Sequence, residues 1–118
     1  MGVVELSDEE YATLWKRKED AETERLRRVM VKHVVEHGKA NCEKNANYGA
    51  VAEFDFTKAR QKDRYYSSGF ATAEELAEMC EEFIRADREK SDQYKDLHVY
   101  VYKNLIVFKL GDGVESEE

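Results

Sequence analysis

The chain carries two stretches with apolar residues at helical spacing and two in which apolar and polar residues alternate. The first helical stretch opens at Ser7, Asp8, Glu9 and Glu10, an S-x-x-E pattern. There the Ser7 hydroxyl accepts from the third helical amide while Glu10 reaches back to the cap, so a helix is expected to begin. Tyr11, Leu14 and Trp15 give it one apolar face, and Leu26, Val29, Met30 and Val34 resume one later. Residues 16–25 between them are almost wholly charged. A single helix would carry a polar waist there and project from the body; two shorter helices are the alternative. Gly38 is the expected stop, because glycine commonly follows the last helical residue. Residues 41–47 then read as a loop.

Residues 48–56 alternate, with Ala50, Ala52, Phe54 and Phe56 on one side and Val51, Glu53 and Asp55 on the other. That period of two predicts a half-buried strand. Residues 57–70 read as a loop that opens with a helical turn and contains a turn at Ser67, Ser68 and Gly69. Thr72, Ala73, Glu74 and Glu75 form a second capping box, with acidic residues where the helix dipole favours them. Leu76, Met79, Cys80, Phe83 and Ile84 follow as one stripe, and Arg85, Arg88 and Lys90 sit late. The helix is predicted to run to about Asp92.

Residues 97–110 read as a β-hairpin turning at Lys103 and Asn104. A two-residue loop pairs Tyr102 with Leu105, Val101 with Ile106, Val99 with Phe108 and Leu97 with Leu110. One face is then Leu97, Val99, Val101, Ile106, Phe108 and Leu110, all apolar. The other is mixed: His98, Tyr100, Tyr102, Leu105, Val107 and Lys109. A slip of one residue would scramble this separation, which selects the register.

These elements predict an α+β fold. An N-terminal helix (or two short helices) precedes strand, helix and hairpin, and a small three-stranded sheet packs against the second long helix. Residues 1–110 form one domain, and the acidic, small-residue-rich 111–118 is expected to be a disordered tail. With three strands at least one sheet edge stays open. The N-terminal helix, or a second copy of the chain, is expected over the mixed face or an edge.

Composition narrows the classes. The chain has 118 residues, 42% hydrophobic and 38% charged, too apolar for a disordered chain and charged enough to be soluble. Its net charge of −7 opposes broad binding to nucleic acid or to an anionic membrane. Cys42 and Cys80 are too few for a disulfide framework and read as reduced thiols of a cytoplasmic protein, Cys80 in the core and Cys42 accessible in its loop. No segment resembles a membrane span or a secretory signal.

Candidate chemistry is sparse. His33, Val34, Val35, Glu36 and His37 match H-x-x-E-H, and histidines four apart on a helix can chelate one metal, with Cys42 as a candidate third ligand. The opposing interpretation is a surface pair near a helix end. Lys58, Arg60, Lys62, Arg64, Tyr65 and Tyr66 interleave basic and aromatic side chains, a combination suited to phosphate contact and base stacking. Residues 74–92, with eight acidic and three basic residues, can neutralise that loop within the chain. The same acidic run can dock a basic partner. No phosphate loop or dinucleotide fingerprint is present, and no cofactor is expected.

The tyrosines on the mixed hairpin face suit an interface, since tyrosine buries area at low entropic cost. The leading expectation is a non-enzymatic, homo-oligomeric protein–protein interaction module, of which a small acidic inhibitor of a nucleic-acid-handling protein, of mobile-element type, is one form. His98, Tyr100 and Tyr102, together with the basic-aromatic residues 58–66, are its expected contacts. Nucleic-acid binding through 58–66 and metal-dependent catalysis at His33 and His37 are the alternatives.

Overall fold

The protein has an α+β fold, described here for residues 2–63, 66 and 69–112 from a computed structural model. Its first element, α1, is one continuous helix, Asp8–Lys44. Ser7 Oγ accepts from the Glu10 amide at 3.2 Å, and Glu10 Oε1 accepts from the Ser7 amide at 3.1 Å. Nothing between this box and Gly38 breaks a helix. The charged residues 16–25 are good helix formers, and Glu24 pairs with Arg28 one turn on, at 3.7 Å. The polar waist is therefore real, and every residue from Asp8 to Leu26 is exposed. The long molecular axis measures 69 Å against 34 and 30 Å for the others.

Gly38 does not end the helix. A Cβ built on it would lie 2.5, 2.6 and 2.7 Å from Cδ2, Cγ and Cε2 of Phe108. Glycine stands there so that the helix backbone can rest on that ring. The helix runs two turns further, Asn45 caps it, and a short 3-10 turn, Ala46–Tyr48, leads to Gly49 at φ 85°. The expected loop 41–47 is thus largely helical, and Cys42 is completely buried rather than accessible.

Strand β1 is Val51–Asp55, shorter than expected. Phe56 leaves it to begin a seven-residue helix, α2, Phe56–Lys62, because Asp55 accepts the Lys58 amide at 3.1 Å and so caps it. Helix α3 is Ala73–Arg88, with Thr72 Oγ1 accepting from the Glu75 amide at 3.1 Å. Glu75 does not reach back to Thr72. Its carboxylate accepts from the Ala71 amide at 2.9 Å and from Arg27 Nη2 of α1 at 2.5 Å, which ties the two helices together.

Strands β2, Leu97–Tyr102, and β3, Leu105–Leu110, form the predicted hairpin in the predicted register. The sheet order is β1-β3-β2, all antiparallel, with Ala52 opposite Phe108 and Phe54 opposite Ile106. Both long helices cover the same face of this sheet. Val31, Val34, Val35 and Cys42 of α1 and Ala73, Leu76, Ala77, Cys80 and Ile84 of α3 bury Leu97, Ile106 and Phe108 between them. Phe70 and Tyr94, both nearly inaccessible, close the ends of this core. The mixed face has no helix over it among the described residues. Gly113 to Glu118, most of the expected disordered tail, lie outside the described residues.

Candidate interaction surfaces

The residues singled out from sequence do not converge. His33 and His37 are exposed on α1, whereas Cys42 is buried on the side facing the sheet, so Cys42 cannot complete a site with them. Burial pushes the Cys42 thiol up and the Cys80 thiol up to about 12. Among the described residues no three His, Cys, Asp or Glu side chains are grouped to hold a metal ion.

The basic-aromatic segment is split. Lys58 and Lys62 sit one turn apart on α2, and Arg60 lies elsewhere around the helix with its guanidinium 5.4 Å from the Phe56 ring. Tyr66, expected at the surface, is 8% exposed and packs against Phe54 and Phe70 at 5.6 and 6.5 Å. It extends the apolar core rather than offering a stacking platform. Arg64 and Tyr65 lie outside the described residues.

The hairpin offers more. Tyr102 is exposed, and His98 stacks on Tyr100 with ring centroids 6.5 Å apart, its Nε2 3.0 Å from the Gly111 carbonyl. These three residues share the uncovered face. The outer edge of β2 is the second feature. Nothing among the described residues pairs with it. In a hairpin with a two-residue loop the closing pair exchanges both hydrogen bonds, and alternate residues then turn their amide and carbonyl outward. Tyr102 closes this hairpin, so Leu97, Val99 and Val101 turn outward. The Leu97 carbonyl accordingly accepts from Arg88 Nη2 at 3.2 Å, and the Leu97 amide donates to Tyr94. Among the described residues Val99 and Val101 have no such neighbour, and Val101 is 41% exposed.

Beside that edge runs one row of α3. Glu74, Glu78 and Glu81 line a depression with Val99, Tyr100 and Val101. A second depression continues it past Arg85 and Arg88. Arg85 Nη2 holds Glu81 at 2.6 Å. Among the described residues neither Glu74 nor Glu78 has a cation within ion-pair distance. The acidic row is plain in the sequence, but its position next to an open strand edge follows only from the packing of α3 on β2.

A third surface is the projecting half of α1, which carries Tyr11, Leu14 and Trp15 into solvent. Tyr11 and Trp15 meet edge to face at 6.0 Å, and Lys18 Nζ lies 4.6 Å over the Trp15 ring. No helix among the described residues is both long and apolar enough to cross a membrane. No family model, curated protein or solved structure matches the chain.

Proposed function

We propose that the chain is a non-enzymatic protein-binding module that takes an extended, basic segment of another protein as a fourth strand on the edge of β2. The observation that carries this reading is the pairing of two complementary features. Among the described residues, Val99 and Val101 turn unpaired backbone groups outward and Glu74 and Glu78 stand without an ion-pair partner alongside. An added strand gains main-chain hydrogen bonds from the edge and specificity from its alternate side chains. Side chains directed to the α3 side meet Glu74 and Glu78, so lysine or arginine fits there. Side chains directed the other way lie along Tyr100 and Tyr102, where apolar residues fit. The net charge of −7 draws basic partners and repels acidic ones. Proteins that handle nucleic acid present such basic segments, so capture of one would serve the inhibitory role expected of a small acidic protein.

The test uses a fluorescent peptide of alternating lysine and valine, titrated by anisotropy at low and high salt. Binding that weakens with salt is expected. Val101→Pro removes an outward amide that the sheet itself does not use, a placement edge strands tolerate, and should abolish binding while leaving the circular dichroism unchanged. Glu74→Lys with Glu78→Lys should do the same. A peptide that binds the Val101→Pro protein as tightly as the parent would refute strand addition here.

A further inference from the structure

We propose that two copies of this chain pair antiparallel along the outer face of α1, in a register centred on Asp20. The exposed half of α1 carries Tyr11, Leu14 and Trp15 at 56%, 50% and 44% exposure, and Val29 on the same helix is 54% exposed. None of these contributes to the core. At about 100° per residue, Tyr11, Trp15, Lys18, Glu22, Arg25 and Val29 fall within about 80° of one another on the helix circumference. They recur at alternating spacings of four and three, the repeat of a coiled-coil seam. The stripe that docks on the sheet, Val31, Val34, Val35, Gly38 and Cys42, is on the opposite side of the helix. A second helix laid along the seam therefore lies clear of the sheet, and only at its inner end, where Val29 and Lys32 line a depression with Met79 and Phe83, does it come beside α3.

The order of residues along the seam selects the second copy as its occupant. Centred on Asp20, the antiparallel pairing sets Tyr11 against Val29 of the second copy, Trp15 against Arg25, and Lys18 against Glu22, each twice by symmetry. One turn further out Asp8 meets Lys32. The layers are an aromatic on an aliphatic side chain, a cation on an indole face, and two opposite-charge pairs. Leu26 falls beside Ala12 on one flank. A parallel pairing would instead stack Lys18 on Lys18, Glu22 on Glu22 and Arg25 on Arg25, three successive like-charge layers. From Tyr11 to Val29 the overlap is about 27 Å long at 1.5 Å per residue. The polar central layers fix orientation and register at a cost in affinity, as polar seam residues do, so an association in the micromolar range is expected.

Charge reversal reads out this arrangement directly. Sedimentation equilibrium on the full chain, from micromolar to millimolar, should show the 13.8 kDa monomer passing to twice that mass. Lys18→Glu sets glutamate against Glu22 and Glu22→Lys sets lysine against Lys18, so each alone should weaken association by about tenfold or more. An equimolar mixture of the two variants restores every charged layer and should associate at least as tightly as the parent, as should the double variant. All these positions are exposed on the arm, so circular dichroism confirms that the body stays folded. A monomer at millimolar concentration would overturn the proposal. So would a dimer indifferent to both reversals, and a dimer lost on Val101→Pro would assign the contact to the β2 edge instead.

Discussion

Replacing Gly38 by alanine should destabilise the protein, although the same change in an ordinary helix interior stabilises by about 1 kcal/mol. The new methyl would sit 2.5–2.7 Å from three atoms of the Phe108 ring, well inside the closest approach of carbon atoms. Phe108 cannot swing aside freely. It is inaccessible to solvent, lies on the central strand opposite Ala52 and Val99, and is enclosed by both long helices. Overpacking of this kind costs about 1–3 kcal/mol. Set against the propensity gain, the net loss is about 0–2 kcal/mol. In urea denaturation followed by far-UV circular dichroism, the midpoint should fall with an unchanged slope, as a pure stability change requires. In a Phe108→Leu background the smaller, more adaptable side chain should shrink the penalty, and a double-mutant cycle measures that coupling. If Gly38→Ala raises the midpoint, the close approach of α1 to β3 is not the reason for glycine at this position.

Two further outcomes follow from the buried and capping groups. Both thiols are enclosed and their ionisation is pushed up by burial, and only the thiolate reacts. A thiol reagent at about pH 8 should label neither cysteine in the native protein and both in urea; rapid native labelling of Cys42 would show that the end of α1 is open. The backbone and side-chain hydrogen bonds to Ser7 hold the Glu10 carboxyl below the ordinary carboxylate range. A lowered folded value means that the capping contribution is present above the unfolded carboxylate pKa and is lost as pH falls through the folded one. The protection of the amides at the start of α1, measured against their intrinsic exchange rates at each pH, should therefore fall on acidification, and Glu10→Gln should flatten that dependence.

The parts of the fold that were legible in the sequence are those where local pattern and backbone geometry give a single answer. The hairpin is one: a slip of one residue would part Leu97 and Val99 from Ile106, Phe108 and Leu110, and the register expected from the turn at Lys103 and Asn104 forms. The two capping serine and threonine residues also mark true helix starts. Gly38 misleads because glycine carries the same signal when it ends a helix as when it lets a helix touch a ring. Ending α1 there removed Cys42 from the stripe that begins at Val31, although the spacing of Val31, Val34, Val35, Gly38 and Cys42 continues it. Tyr66 misleads for a related reason, since an aromatic beside basic residues suits a core as well as a stacking surface. The candidate peptide edge was half visible: Glu74 and Glu78 were apparent, but which strand they flank depends on how α3 crosses the sheet.

The division of α1 into two halves bears on what its first half is for. An isolated helix of this length and charge content is marginal in water, because its first turn is costly to form. Here the nucleus is supplied by the C-terminal half, which is packed on β1 and β3, and the helix propagates outward from it to the Ser7 cap. Propagation needs only good helix formers, and charged residues serve throughout. Tyr11, Leu14 and Trp15 add nothing to that process and, among the described residues, have no place in or against the core, so packing of the described body does not account for them. The proposed burial against a second copy would account for them, and the alternation of complementary layers along the same face is one that this chain can supply itself.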